Sequence, residues 1–94
     1  MDQLFKVKTT VRGEKMRIDK FLKVSRIIKR RTMANQACTQ GRVSINGKLA
    51  KPGTEVKVGD KIEIVFGDQV RTYEVLDISE HVAKKDAASM YRIL

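Results

Sequence analysis

Residues 18–41 read IDKFLKVSRIIKRRTMANQACTQG. At about 100° per residue, Ile18, Phe21, Leu22, Val24, Ser25 and Ile28 share one arc of a helical wheel, and Lys20, Lys23, Arg26 and Arg30 lie opposite. That spacing predicts an amphipathic helix over 18–29, with Asp19 at the positive end of its dipole. Ile27 falls among the charges, so the helix is expected to end or bend near it. Thr32 is a good N-cap for a second helix, TMANQACTQ, which Gly41 closes. Met33, Ala34, Ala37 and Cys38 form its apolar side and are expected to pack on the first helix. The joint between the two helices is Lys29-Arg30-Arg31, so a tight corner holds three consecutive positive charges.

Beyond Gly41 the period changes to an alternating one. RVSI reads as a strand, Asn46-Gly47 as a hairpin turn and KLA as the returning strand. Gly59-Asp60 marks a turn before a strand over 61–66, and Gly67-Asp68 a second hairpin whose return is QVRTYEVL. The tail AKKDAASMYRIL has helix-forming composition, with Met90, Ile93 and Leu94 expected to pack back on the sheet. Residues 1–15 admit two readings, an edge strand or arm, or a poorly ordered extension; the organised pattern begins at Met16 and runs to residue 94. The expected fold is α+β, two antiparallel helices on a small, mostly antiparallel sheet with a short helical tail.

The 94 residues make one domain with a single small core. The net charge of +9 is unevenly spread: residues 1–51 hold 14 Lys or Arg and 3 Asp or Glu, residues 52–94 hold 6 and 8. Such polarity attracts a polyanion. The positive face continues from the helix through the Lys29–Arg31 corner to Arg42 and Lys48. A merely solvated helix face normally mixes signs to gain pairing along the helix; this one is almost purely positive. A membrane surface is the competing polyanion, but the apolar arc is accounted for by the following helix and sheet. Aromatic residues are scarce and Phe21 falls on the apolar arc, so a surface read by shape and phosphates, structured RNA, is favoured over base stacking.

Catalytic and metal-binding patterns are missing from the sequence. His81, the single histidine, and Cys38, the single cysteine, have no spaced partners. Neither GxGxxG nor a Walker-type loop occurs. Cys38 reads as a small buried hydrophobe, His81 as an exposed loop side chain, and Asp19 as a helix-end or salt-bridging carboxylate rather than a general base. No apolar run could span a bilayer or serve as a signal-peptide core, so the expected compartment is the cytoplasm.

The segment from Met16 to Ile64, with RIDKFL, KRRT, GRVSINGK and KPGTEVKVGD as landmarks, closely resembles the RNA-binding domain of small-subunit ribosomal protein S-four, the alpha-L motif. With the closing KKDAASMYRIL, it resembles the stand-alone bacterial proteins of the RqcP/YabO type, related to the small heat-shock protein that carries the same domain. The resemblance implies a role in ribosome-associated quality control: binding large-subunit rRNA and peptidyl-tRNA on an obstructed large ribosomal subunit, and supporting tailing of the stalled chain by an RqcH/NEMF-type partner. It also implies that Arg17, Lys20, Lys23, Arg26, Arg30, Arg31, Thr32, Asn35 and Gln36 face RNA, Arg17 and Arg31 foremost. With Lys29, Arg42 and Lys48 from the charge pattern, these form the expected RNA-binding set. The expected protein is not an enzyme, takes no cofactor or metal, and is a monomer away from the ribosome. Two alternatives are a general large-subunit recycling or assembly factor of the heat-shock type, and a remnant RNA-targeting module of an RNA-modifying enzyme.

Overall fold

The computed structural model describes residues 15–78 and 84–94. The expectations for residues 1–14 and for His81 lie outside the described residues. The first element is a strand too short to carry a periodic signal, β1 (Met16–Arg17). It is followed by α1 (Ile18–Val24), α2 (Arg31–Thr39), β2 (Val43–Ile45), β3 (Lys48–Leu49), β4 (Glu55–Val56), β5 (Lys61–Phe66) and β6 (Gln69–Val75). A 3-10 helix (Lys84–Met90) then leads into β7 (Tyr91–Ile93). β1 pairs with β4, and the other strands form an antiparallel sheet in the order β3-β2-β5-β6-β7.

The strand alternation places one face of this sheet inward. Ile62 and Ile64 of β5 are buried while Lys61 and Glu63 are exposed, and Ile62 lies opposite Ile45 on one side and Tyr73 on the other. Ile18, Phe21 and Leu22 of α1 and Ala34 and Cys38 of α2 belong to the same buried cluster. Phe21 is fully buried, and truncating such a ring typically costs about 3–5 kcal/mol.

The first helix is shorter than the expected 18–29. Ser25 is its C-cap, and Arg26 turns into the left-handed region at φ 64°. The Arg26 N–H donates to Lys23 O (3.1 Å) and the Ile28 N–H to Leu22 O (3.0 Å), closing the helix end. Breaking the helix here swings Ile27 and Ile28 against the core, whereas a continued helix would place Ile27 on the charged face. Ile28 would face the core either way, so the gain is the partial burial of Ile27, which outweighs one more turn of exposed helix.

The second helix starts one residue before Thr32. Arg30, not Thr32, is the N-cap, in extended conformation and without a side-chain cap. Gly41 closes α2 as expected: its φ is 75°, its N–H donates to Cys38 O, and the Arg42 N–H donates to Ala37 O, a Schellman motif. Met33, expected against α1, is 56 % exposed because Ala34 and Cys38 occupy the centre of the buried arc.

Asn46 and Gly47 both have positive φ, 52° and 86°, as the two-residue β2–β3 turn requires. The Asn46 amide group donates to Asp60 Oδ1 (3.1 Å) and accepts from the Lys61 N–H (3.0 Å), while Asp60 Oδ2 accepts from the Lys57 N–H (2.9 Å). Buried Asp60 thus ties the hairpin tip to the entry of β5.

The tail is helical over Lys84–Met90, as expected, but not to its end. Met90 is buried, but 91–93 form an edge strand on β6, and Ile93 and Leu94 are exposed. The strand satisfies the open ladder of β6. It is held by a T-shaped contact of Tyr91 on Tyr73 (5.3 Å, 85°) and an Arg92–Glu74 ion pair. Ile93, on the same strand face as Tyr91, falls at the sheet margin.

Candidate nucleic-acid interface

Pairing of β1 with β4 fixes where α1 begins. The Ile18 N–H donates to Thr54 O (2.7 Å) and the Asp19 N–H to Pro52 O (3.4 Å), so backbone carbonyls, not a side chain, cap this helix. Asp19 is turned inward and only 2 % exposed. Its Oδ2 accepts from Arg17 Nη2 at 3.1 Å and its Oδ1 from Arg31 Nη2 at 3.4 Å. The arginine side chains stay 51 % and 46 % exposed. One buried carboxylate therefore orients two guanidinium groups, from β1 and α2, that still present donors outward. A planar fork of five N–H donors suits phosphate oxygens once its orientation is held.

This arrangement corrects one reading of the sequence. Read one helix at a time, Arg31 lies in neither apolar arc and has no structural role; the contact with Asp19 gives it one. Asp19 is also the only acidic residue from Met16 to Thr54, and it is internal. The exposed charge of that whole stretch is positive.

Lys23, Arg26, Lys29 and Arg30 are exposed along α1 and the corner, and Lys20 is half-buried. Thr32 and Asn35 are exposed on the flank of α2 that carries Arg31, where the Thr39 hydroxyl donates to Asn35 O (2.9 Å). Lys48 is exposed on the β2–β3 hairpin. Gln36 and Arg42 go elsewhere. Gln36 points from the opposite flank of α2, and both residues border a cavity of about 160 Å³ between α2 and β5. Met33 and Phe66 also line it and were not legible as surface residues: the sequence placed one in a helix core and the other in a strand. The outward face of the sheet mixes signs, with Lys61 and Arg92 beside Glu63 and Glu74.

Cys38 is buried against α1. Burial, and secondarily the negative charge of Asp19, push its thiol up to about 11. It is a protonated packing group at neutral pH, not a nucleophile. No helix among the described residues is long and apolar enough to cross a membrane.

Residues 16–62 match the S4 domain model. The chain belongs to the S4 domain family. The match spans β1, both helices, the first hairpin and the start of β5, so the basic face and the Asp19 node lie wholly inside the S4 domain, and most of β5, β6 and the tail lie outside it. The chain is 51 % identical over 78 residues to the RQC P-site tRNA stabilizing factor of Halalkalibacterium halodurans, covering 83 % of this chain and 89 % of that protein. It is 51 % identical over 79 residues to the protein of the same name from Bacillus subtilis, covering 84 % and 92 %. Among solved structures, the S4 fold here is similar to trimeric heat shock protein 15 of Vibrio cholerae, with a TM-score of 0.77, 32 % identity and coverage of 86 % of this chain and 83 % of that one.

Proposed function

We propose that this protein is a ribosome-associated quality-control factor that binds structured RNA through its helix face. In this reading it docks on an obstructed large ribosomal subunit, against large-subunit rRNA and peptidyl-tRNA. It supports C-terminal tailing of the stalled chain by an RqcH/NEMF-type partner, in the cytoplasm and without catalysing a reaction itself. The observation that carries the reading is Arg17 and Arg31 held on buried Asp19 within a surface that has no exposed acid from Met16 to Thr54. Relatives at 51 % identity named for stabilizing P-site tRNA support the tRNA part of it.

The mechanism is electrostatic docking. Binding releases counterions from the phosphates that the Lys29–Arg31 corner and α1 neutralise. The first amides of α2 have no acceptor within the helix and, with no side-chain cap at Arg30, donate to the same phosphate oxygens. The similarity to heat shock protein 15 favours a second reading, general recycling of large subunits.

The test is sucrose-gradient co-sedimentation with large subunits that either carry peptidyl-tRNA or lack tRNA. The parent protein should follow the tRNA-carrying particles. Exchange of both Lys29 and Arg30 for Ala should release it, and Lys61→Ala, on the outward sheet face, should not. Equal binding to both particles supports the recycling reading. Co-sedimentation that is lost with Lys61→Ala and kept in the corner variant places the RNA on the wrong face.

A further inference from the structure

We propose that the cavity between α2 and β5 takes an unpaired nucleobase of the RNA bound on the adjoining helix face. The proposal rests on the RNA-binding reading above and adds a site to it. The cavity, about 160 Å³, combines an apolar floor with a polar rim. Met33 and Phe66 form the floor and are 56 % and 38 % exposed, with half-buried Ile28 and Ala37 behind them. Gln36 and Arg42 form the rim, and none of the described lining residues is acidic.

Each part has a counterpart in a nucleotide. An aromatic ring and a thioether offer flat, polarizable surface to the face of a base, an attraction nearly independent of base identity. The Gln36 amide offers donors and an acceptor to a base edge, and the Arg42 guanidinium suits the attached phosphate. Position matters as much as chemistry. Gln36 and Asn35 are neighbours on α2, so an RNA strand crossing this helix passes from the Arg31 flank to the cavity. A surface that only neutralised phosphates would gain nothing from exposing Met33 and Phe66. Charge complementarity also favours RNA over an apolar peptide, since the rim and its surroundings on α2 carry only positive charge.

The test compares two RNA hairpins with the same stem, one fully paired and one with a single bulged adenosine, by fluorescence anisotropy with the full chain at fixed salt. The parent should favour the bulged hairpin by about five- to tenfold, the scale of one stacked base. Phe66→Ala and, separately, Met33→Ser should abolish that preference while keeping the parent's affinity for the paired hairpin. Thermal melts accompany both; Met33 is mostly exposed, so its variant remains folded even where Phe66→Ala does not. A parent that binds both hairpins equally, or folded variants that keep the preference, overturns the base site and leaves the RNA face standing. A parent that binds neither overturns both. Sedimentation without RNA tests a second copy as occupant: self-association lost in Phe66→Ala, with hairpin preference unchanged, overturns the proposal.

Discussion

Arg26 and Gly41 do the same backbone job at the ends of α1 and α2, with φ of 64° and 75°. Glycine takes this conformation freely, whereas a side chain there costs about 1–2 kcal/mol. Arg26→Gly should therefore raise stability by about 1 kcal/mol in urea unfolding, the strain relief exceeding the loss of unfolded-state restriction. If Arg26 also contacts phosphate, the same variant should bind RNA more weakly, with a salt slope shallower by about one. An unchanged slope would remove Arg26 from the interface. Arg31 is the opposite case, a charge the fold uses. Among the described residues, Arg31→Ala leaves buried Asp19 paired with Arg17 and should cost about 1 kcal/mol, limited because the guanidinium is half exposed. In an Asp19→Asn background that cost should shrink; equal costs in both backgrounds would show no coupling. Loss of RNA binding in Arg31→Ala therefore mixes stability with contact, and Arg30→Ala is the cleaner probe.

At the scale of elements, the α1–α2 pair is held by close packing through Ala34 and Cys38. The Cys38 thiol, raised to about 11, keeps its proton longer in the folded state than in the unfolded chain, where it ionises near about 8.5. Its contribution is complete below the unfolded value and is lost as pH rises from there through the folded value. Cys38→Ala should flatten the alkaline limb of stability between about pH 8.5 and 11, read as the difference between the two proteins' melting profiles. A limb of identical slope in both would show that other groups account for it. The β2–β3 hairpin combines a turn conformation with a side-chain tether to Asp60. Asn46→Gly keeps the first and loses the second, costing about 1 kcal/mol; Asn46→Ala loses both and should cost about 2 kcal/mol in urea unfolding. Similar costs for the two would mean that the turn dihedral carries little of the hairpin's stability.

For the whole molecule, the consequence of the fold is polarity. The helices and their corner present Lys23, Arg26, Lys29, Arg30 and Arg31 with no exposed acid among them, whereas the sheet's outward face mixes Lys61 and Arg92 with Glu63 and Glu74. With about four to six phosphates neutralised, RNA affinity should fall with salt at a log–log slope of about −3 to −5. A nearly flat slope, measured by anisotropy across a salt series, would mean that phosphate contacts do not dominate and would shift weight to the apolar cavity.

The amino-acid order by itself determined the parts with short-range causes. The strand over 61–66, the Asn46-Gly47 turn, the closure of α2 at Gly41, the burial of Phe21 and the concentration of positive charge before residue 52 all follow from periodicity, turn chemistry and composition. The expected α+β architecture also holds. Tertiary structure decided the rest. β1 has two residues, too few for a period, and exists because β4 offers it a ladder. The end of α1 is set by the partial burial of Ile27, which outweighs a helical pattern that could have continued. The tail stays helical over Lys84–Met90, as its composition favours, and only 91–93 become a strand, because β6 has an open edge. Arg31 acquires a structural partner only when β1, α1 and α2 converge on Asp19, twelve residues away in sequence. Met33 and Phe66 line a surface cavity because, among the described residues, neither α1 nor another strand covers the flank of α2 that faces the end of β5, and coverage is a property of the assembled elements rather than of any one of them.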